Sequence, residues 1–446
     1  MSDAWRGMSA ADLGRGIGAG KIDPRDLAEV FLGAMASHPD TARIYARTTP
    51  ARARAGADAA AERAKSGTRL GPLDGVPISW KDNYDIAGEV TEAGSMLLKG
   101  KVATRDAPAF AAATAVGLVC LGKTHMSELA FSGLGVNPVT ATSPNAIEPE
   151  RAPGGSSSGA AVSTALGLAA AGIGSDTGGS VRIPAAWNGL AGLKTTAGAI
   201  STQGIVPLST THDTVGPLCR TVEDCGLLYA AMAGLPQVVP AAAELRGTRL
   251  LVPETVLLDG CDAEVAAAFA QTLDALAAAG VRLTRAPVPE IAEAFDVATR
   301  ISSIANSEGW RIWGAAIEAN PGVMFSLIEQ RFRTGMSGTV EKDREALAEF
   351  ARLSLGVQAQ MAADGIMVMP TSPILPPPVA RLLADHAYFV ERNMLGLRNT
   401  RMVNLLTLSA LTIPTAAPMV GLMLVAGPGQ ENELLALGRA MERIVR

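Results

Sequence analysis

The stretch from Pro153 to Pro184, PGGSSSGAAVSTALGLAAAGIGSDTGGSVRIP, constrains this chain more than any other part of it. Two loops rich in glycine and serine flank a segment of small residues. That segment reads as a helix over residues 159–168 followed by an apolar run to Gly174. The first loop, Gly154-Gly155-Ser156-Ser157-Ser158-Gly159, leads straight into the helix N-terminus, where glycine permits unusual backbone angles and exposed N–H groups favour an anion. The second, Asp176-Thr177-Gly178-Gly179-Ser180, gathers N–H donors beside a serine hydroxyl. Acyl transfer requires such a grouping, because the oxyanion of the tetrahedral intermediate must be stabilised next to the nucleophile. On physical grounds alone the same loops could hold a phosphate.

Three further features favour acyl transfer. Lys81 ends the apolar run Val76-Pro77-Ile78-Ser79-Trp80, and desolvation there lowers an amine's pKa so that it can act as a base. Neither glycine-rich loop carries a lysine where a GxxxxGK[ST] phosphate loop needs one. Asp176 precedes Ser180 by four residues and Arg182 follows it by two, a pair able to tie the loop's two sides together.

With these residues in place, the chain resembles the amidase-signature family. The matching segments are GVPISWKDNYDI around Lys81, PGGSSSG around Ser156, GSDTGGSVRIPA around Ser180 and GLAGLKTTAG from Gly189 to Gly198. Weaker likeness extends to GKTHMSELAF, THDTVGPL and RNTR. The resemblance implies an α/β fold, a mixed twisted β-sheet flanked by helices on both faces. It also implies a serine amidase that cleaves a small or medium carboxamide to an acid plus ammonia or an amine. Ser180 would be the nucleophile and Lys81, neutral at rest, the ultimate base. Ser156, on a cis peptide, would relay protons between them. Backbone N–H groups of Thr177, Gly178, Gly179 and Ser180 would form the oxyanion hole, with Asp176 and Arg182 supporting the loop. No metal or organic cofactor is implied, and a homodimer is compatible with the family. Ala160, Thr195 and His125 depart from residues common in it, which bears on substrate choice rather than chemistry.

The rest of the chain fits this frame. Asp23-Pro24 opens a helix whose apolar face is Leu27, Val30, Phe31, Ala34 and Met35. Helix and strand signals alternate from there to a last helix over residues 431–445, as helices on both faces of a sheet require. Neither an internal repeat nor a low-complexity linker divides the chain, so one domain over residues 1–446 is expected, with 1–65 as a helical segment packed on it. Acidic residues outnumber basic ones, 43 to 38, which argues against direct nucleic-acid binding. Four dispersed histidines and four cysteines without a CxxC pair offer no metal site. The start, MSDAWRGMSAADLG, has no apolar leader, so a cytoplasmic location is expected. The uncharged stretch Met402–Gly427 is broken by Pro414 and Pro418 and reads as two buried elements rather than a membrane span.

Two other functions compete. The motifs are shared with the glutaminase (A) subunit of tRNA-dependent amidotransferases, although the match beyond the core motifs reads as loose. A non-catalytic binding protein of the same fold would have no need of Lys81, Ser156 and Ser180 together. Elsewhere, His212-Asp213 reads as a loop pair making local contacts rather than part of a Ser-His-Asp triad. Trp310, Trp313 and Phe325 read as packing, and Glu308 and Glu329 as solvated helix faces.

Overall fold

The computed structural model describes residues 2–446. Its strands are β1 (Tyr45–Thr48), β2 (Pro77–Lys81), β3 (Val119–Thr124), β4 (Gly172–Asp176), β5 (Ala191–Lys194), β6 (Thr214–Cys219), β7 (Arg249–Pro253), β8 (Arg282–Ala286), β9 (Ile366–Pro370), β10 (Ser409–Pro414) and β11 (Gly421–Ala426). They form one sheet in the order β1-β3-β2-β4-β6-β5-β10-β11-β9-β7-β8. Pairing is parallel among β3, β2 and β4 and among β9, β7 and β8, and antiparallel elsewhere. The expected mixed sheet is present.

Side-chain alternation shows why the central strands are apolar throughout. In β11, Leu422, Leu424 and Ala426 enter a core shared with Phe31 and Leu434, while Met423 and Val425 enter another with Phe350 and Met361. Both faces are covered, so both sets of positions must be apolar. The uncharged stretch Met402–Gly427 resolves into the end of a helix, then β10 and β11 paired antiparallel from Ser409↔Ala426 to Pro414↔Gly421. No helix among the described residues is long and apolar enough to cross a membrane.

Local signals place many helices correctly. Asp23 caps Pro24–Ser37 by accepting the Arg25 N–H at 2.8 Å. Thr221 caps Val222–Ala233 through the Asp224 N–H at 3.2 Å. The sequence does not announce β6, whose Gly216 and Pro217 count against a central strand. The fold accommodates both. Pairing with β5 stops at Gly192↔Leu218, before Pro217, and a Cβ on Gly216 would sit 2.0 Å from the Leu193 carbonyl oxygen.

The neighbouring C-terminal ends of β2 and β4 carry Lys81 and Asp176 to the same edge of the sheet. The start of β6 lies opposite, with Thr214 paired to Asp176. Three segments distant in sequence thus converge on one point.

Candidate active site

The small-residue segment is explained by backbone proximity. Helix Ser158–Ala165 lies so close to β4 that a Cβ on Gly172 would be 2.4 Å from the Ala160 carbonyl oxygen. The loop before it approaches residues 127–134: Ser127 N–H donates to Ser156 C=O at 3.1 Å, and Gly155 N–H to Gly133 C=O at 2.8 Å. The Gly155–Ser156 peptide is cis.

Lys81 is fully buried. Its Nζ lies 2.7 Å from Ser156 Oγ and 2.9 Å from Ser175 Oγ. Asn83 Nδ2 donates to the same Ser175 Oγ at 3.0 Å. Burial pulls the lysine down to about 7, against the upward pull of Asp213 and Asp176. A largely neutral amine at physiological pH has a lone pair, which a hydroxyl can approach as donor. The second leg of the relay, Ser156 to Ser180, has no side-chain hydrogen bond. The two loops meet instead through the Ser157 N–H, which donates to Ser180 C=O at 3.2 Å.

Ser180 sits on a loop organised by Asp176. That carboxylate accepts N–H bonds from Gly179 (2.8 Å) and Val181 (3.0 Å), two from Arg182 (2.9 and 3.1 Å) and one from Asn404 (3.1 Å). Asp176 and Arg182 are both wholly buried. Burial alone would raise the carboxyl's pKa, but the Arg182 guanidinium outweighs it and holds the group well below the carboxylate range. One consequence departs from expectation. The Gly179 N–H is engaged by Asp176, leaving the N–H groups of Thr177, Gly178 and Ser180 without partners among the described residues.

Asp213 belongs to the site, although not as a triad member. It accepts Thr177 Oγ1–H at 2.5 Å and the N–H groups of Leu208 (2.9 Å) and Ser209 (3.1 Å), not a bond from His212. Burial raises it to about 6 despite these donors. His212 is buried with Nε2 unpartnered, and desolvation lowers it to about 4. Glu308 is not on a solvated face: it accepts bonds from Ser209, Thr210 and Thr211 and fastens the loop before β6. Trp313 donates to Pro207 C=O at 2.9 Å, and Trp310, Trp313 and Phe325 pack against the core beside the site. Among the described residues no cluster of histidine, cysteine, aspartate or glutamate could hold a metal.

A narrow cavity open to solvent lies over Ser180, Thr177 and Gly178. Its walls include Ala130–Gly133, His212, Arg331, Arg401 and Asn404. Most of these are not evident from the sequence, because they come from four separate segments. Helix His386–Leu405 contributes several of them: Thr400 Oγ1 donates to Gly178 C=O at 2.8 Å, and Asn404 joins Asp176. The RNTR match was the signal pointing there.

The family model for amidases matches residues 26–435. A 2-amino-5-chloromuconic acid deaminase from Comamonas testosteroni is 35% identical, covering 98% of this chain and 97% of that one. The A chain of the glutamyl-tRNA(Gln) amidotransferase from Halorhodospira halophila is 31% identical over 98% of this chain and 97% of that one. The match to amidotransferase A chains therefore runs the length of the protein and is not confined to the core motifs. A crystal structure of an amidase superposes with a TM-score of 0.88 at 29% identity, covering 98% of this chain and all of the other. Fold, buried lysine, paired serine loops and family match agree: this chain belongs to the amidase family and is a hydrolase of amide C–N bonds.

Proposed function

We propose that the protein hydrolyses a small-molecule carboxamide through an acyl-serine intermediate, using Ser180, Ser156 and Lys81. The observation that carries this reading is the 2.7 Å contact between a buried Lys81 Nζ and Ser156 Oγ, one loop away from Ser180 and its unengaged N–H groups. Neutral Lys81 takes the Ser156 proton as Ser156 takes that of Ser180, and Ser180 Oγ attacks the amide carbon. The N–H groups of Thr177, Gly178 and Ser180 receive the oxyanion. Ser156 returns a proton to the leaving nitrogen, the C–N bond breaks, and water then releases the acid from Ser180. Asp176 and Arg182 hold the loop, and Asp213 holds Thr177.

Labelling with a fluorophosphonate, followed by peptide mapping, tests this. The expected result is one adduct on Ser180 that is lost in Lys81→Ala together with amide turnover. Near-normal turnover in that variant would remove Lys81 from the mechanism. A second reading, the glutaminase component of an amidotransferase, is favoured by the chain-long likeness to amidotransferase A chains. Strict preference for glutamine and a copurifying second protein would establish it. Because one relative is named a deaminase of an amino acid, the substrate panel should also score ammonia release from a 2-amino acid. We further infer one domain over residues 1–446, acting as a cytoplasmic homodimer. Light scattering and cell fractionation test the last two points.

A further inference from the structure

Two arginines in the wall of this cavity have no acidic partner among the described residues. Arg401 comes from helix His386–Leu405, and its Cγ lies 3.9 Å from where a Cβ on Gly178 would be. Its guanidinium stands 5.9 Å from the Phe295 ring and makes no hydrogen bond or ion pair among the described residues. Arg331, from helix Ser326–Arg333, lies 4.3 Å from the centre of the Phe131 ring and donates to Phe131 C=O at 3.0 Å. It too has no carboxylate. Several other inward-facing cations have an acid, Arg182 with Asp176, Arg63 with Asp74 and Lys123 with Asp82. Lys194 and Arg220, which do not, each spend their N–H groups on at least two backbone carbonyls away from any cavity of the site. The cavity lining contains no aspartate or glutamate, and neither does the adjoining apolar groove that shares Asn306, Arg331 and Arg401 with it.

Desolvated guanidinium groups without a counter-anion are costly, and here two lie close enough to oppose each other. Burial, with Arg401 adding to it, lowers Arg331 to about 9, so it stays charged at neutral pH. A fold that keeps two such charges beside an open cavity leaves them for a ligand. Their planar donors match the two oxygens of a carboxylate.

We propose that the substrate is an amide that also bears a free carboxylate, the monoamide of a dicarboxylic acid, with Arg331 and Arg401 holding the carboxylate while the amide carbonyl faces Ser180. This rests on the amidase reading above and names its substrate class. His212, neutral and unpartnered at Nε2, adds a polar group to the same cavity without a competing negative charge.

The test compares kcat/KM for monoamides of dicarboxylic acids of three to six carbons with unbranched alkanamides of matching length. It is run on the wild type and on Arg401→Met, Arg331→Met and Arg401→Lys. A charge-assisted contact predicts a wild-type preference for the anionic member of about 10²-fold, chiefly through KM. Each methionine variant should cut that ratio at least tenfold, and the lysine variant should restore part of it. Alkanamides turned over as well as the acids would overturn the proposal, whatever the variants do. So would variants that slow both substrates equally, or preference for a phosphono analogue over the carboxylate. Fluorophosphonate labelling of Ser180 separates the two levels. Labelling with neutral preference sinks only the substrate assignment, whereas no labelling and no turnover of any amide sinks the amidase reading and this one with it.

Discussion

Lys81 concentrates the site's physical chemistry in one side chain. Its ammonium form has no carboxylate in contact, only hydroxyl and carbonyl oxygens, so burial dominates and the group falls from 10.5 to about 7. If neutral Lys81 is the base, kcat/KM should fall about tenfold per pH unit below about 7; a level profile from pH 5 to 8 would contradict the assignment. The same shift has a stability consequence of definite sign. Between about 7 and 10.5 the unfolded chain binds a proton that the folded chain does not, so this group's contribution to stability rises with pH across that window. At pH 7 the buried amine costs on the order of a few kcal/mol. Lys81→Met should therefore be inactive yet raise the unfolding midpoint at pH 7, with the gain shrinking towards pH 10. A lowered midpoint in thermal scans would mean that its hydrogen bonds outweigh its desolvation.

At the scale of an element, the loop from Asp176 to Arg182 is held by charge and by lack of space. Gly179 has φ +136°, and a Cβ there would lie 2.1 Å from Thr400 Oγ1. Gly179→Ala must displace either the loop or helix His386–Leu405. Turnover should fall by at least 10²-fold while the far-UV dichroism stays native; unchanged turnover would show that the loop has slack. Arg182→Met leaves Asp176 as a buried carboxylate facing mainly N–H donors. Breaking a buried pair from one side costs about 3–5 kcal/mol, to be read by urea unfolding. A loss below about 1 kcal/mol would show that the three backbone and asparagine donors suffice without the guanidinium.

Across the whole molecule, the N-terminal segment is part of the scaffold that aims the site. Leu13, Leu27, Phe31 and Ala53 enter the same core as Ile78 and Trp80 of β2. The Tyr45 hydroxyl lies 2.7 Å from Ser79 Oγ, two residues before Lys81, and β1 pairs with β3. Deleting residues 2–65 should yield insoluble or molten protein. A soluble fragment with native near-UV dichroism would show that the segment is dispensable and refute the one-domain inference. Much of this fold was legible beforehand, because local chemistry sets it. The caps at Asp23 and Thr221, the apolar run into Lys81 and the glycines of the two loops specify their own surroundings whatever the rest of the chain does. Lys81, Ser156 and Ser180 could be named for the same reason, each lying inside a motif whose residues are contiguous. The partners were not legible. Gly179 is diverted from the expected donors by an aspartate three residues away, which spacing cannot reveal. Glu308, Arg331 and Asn404 reach the site from helices whose own periodicity describes only amphipathic packing, and the RNTR segment that carries Arg401 does not reveal that this arginine lines the cavity. The positions of the reactive groups along the chain are written in contiguous motifs. Which charges surround them, and which are left unpaired, follows from packing, because an ion pair depends on distance in space, and distance between remote helices is set by the packing of the core.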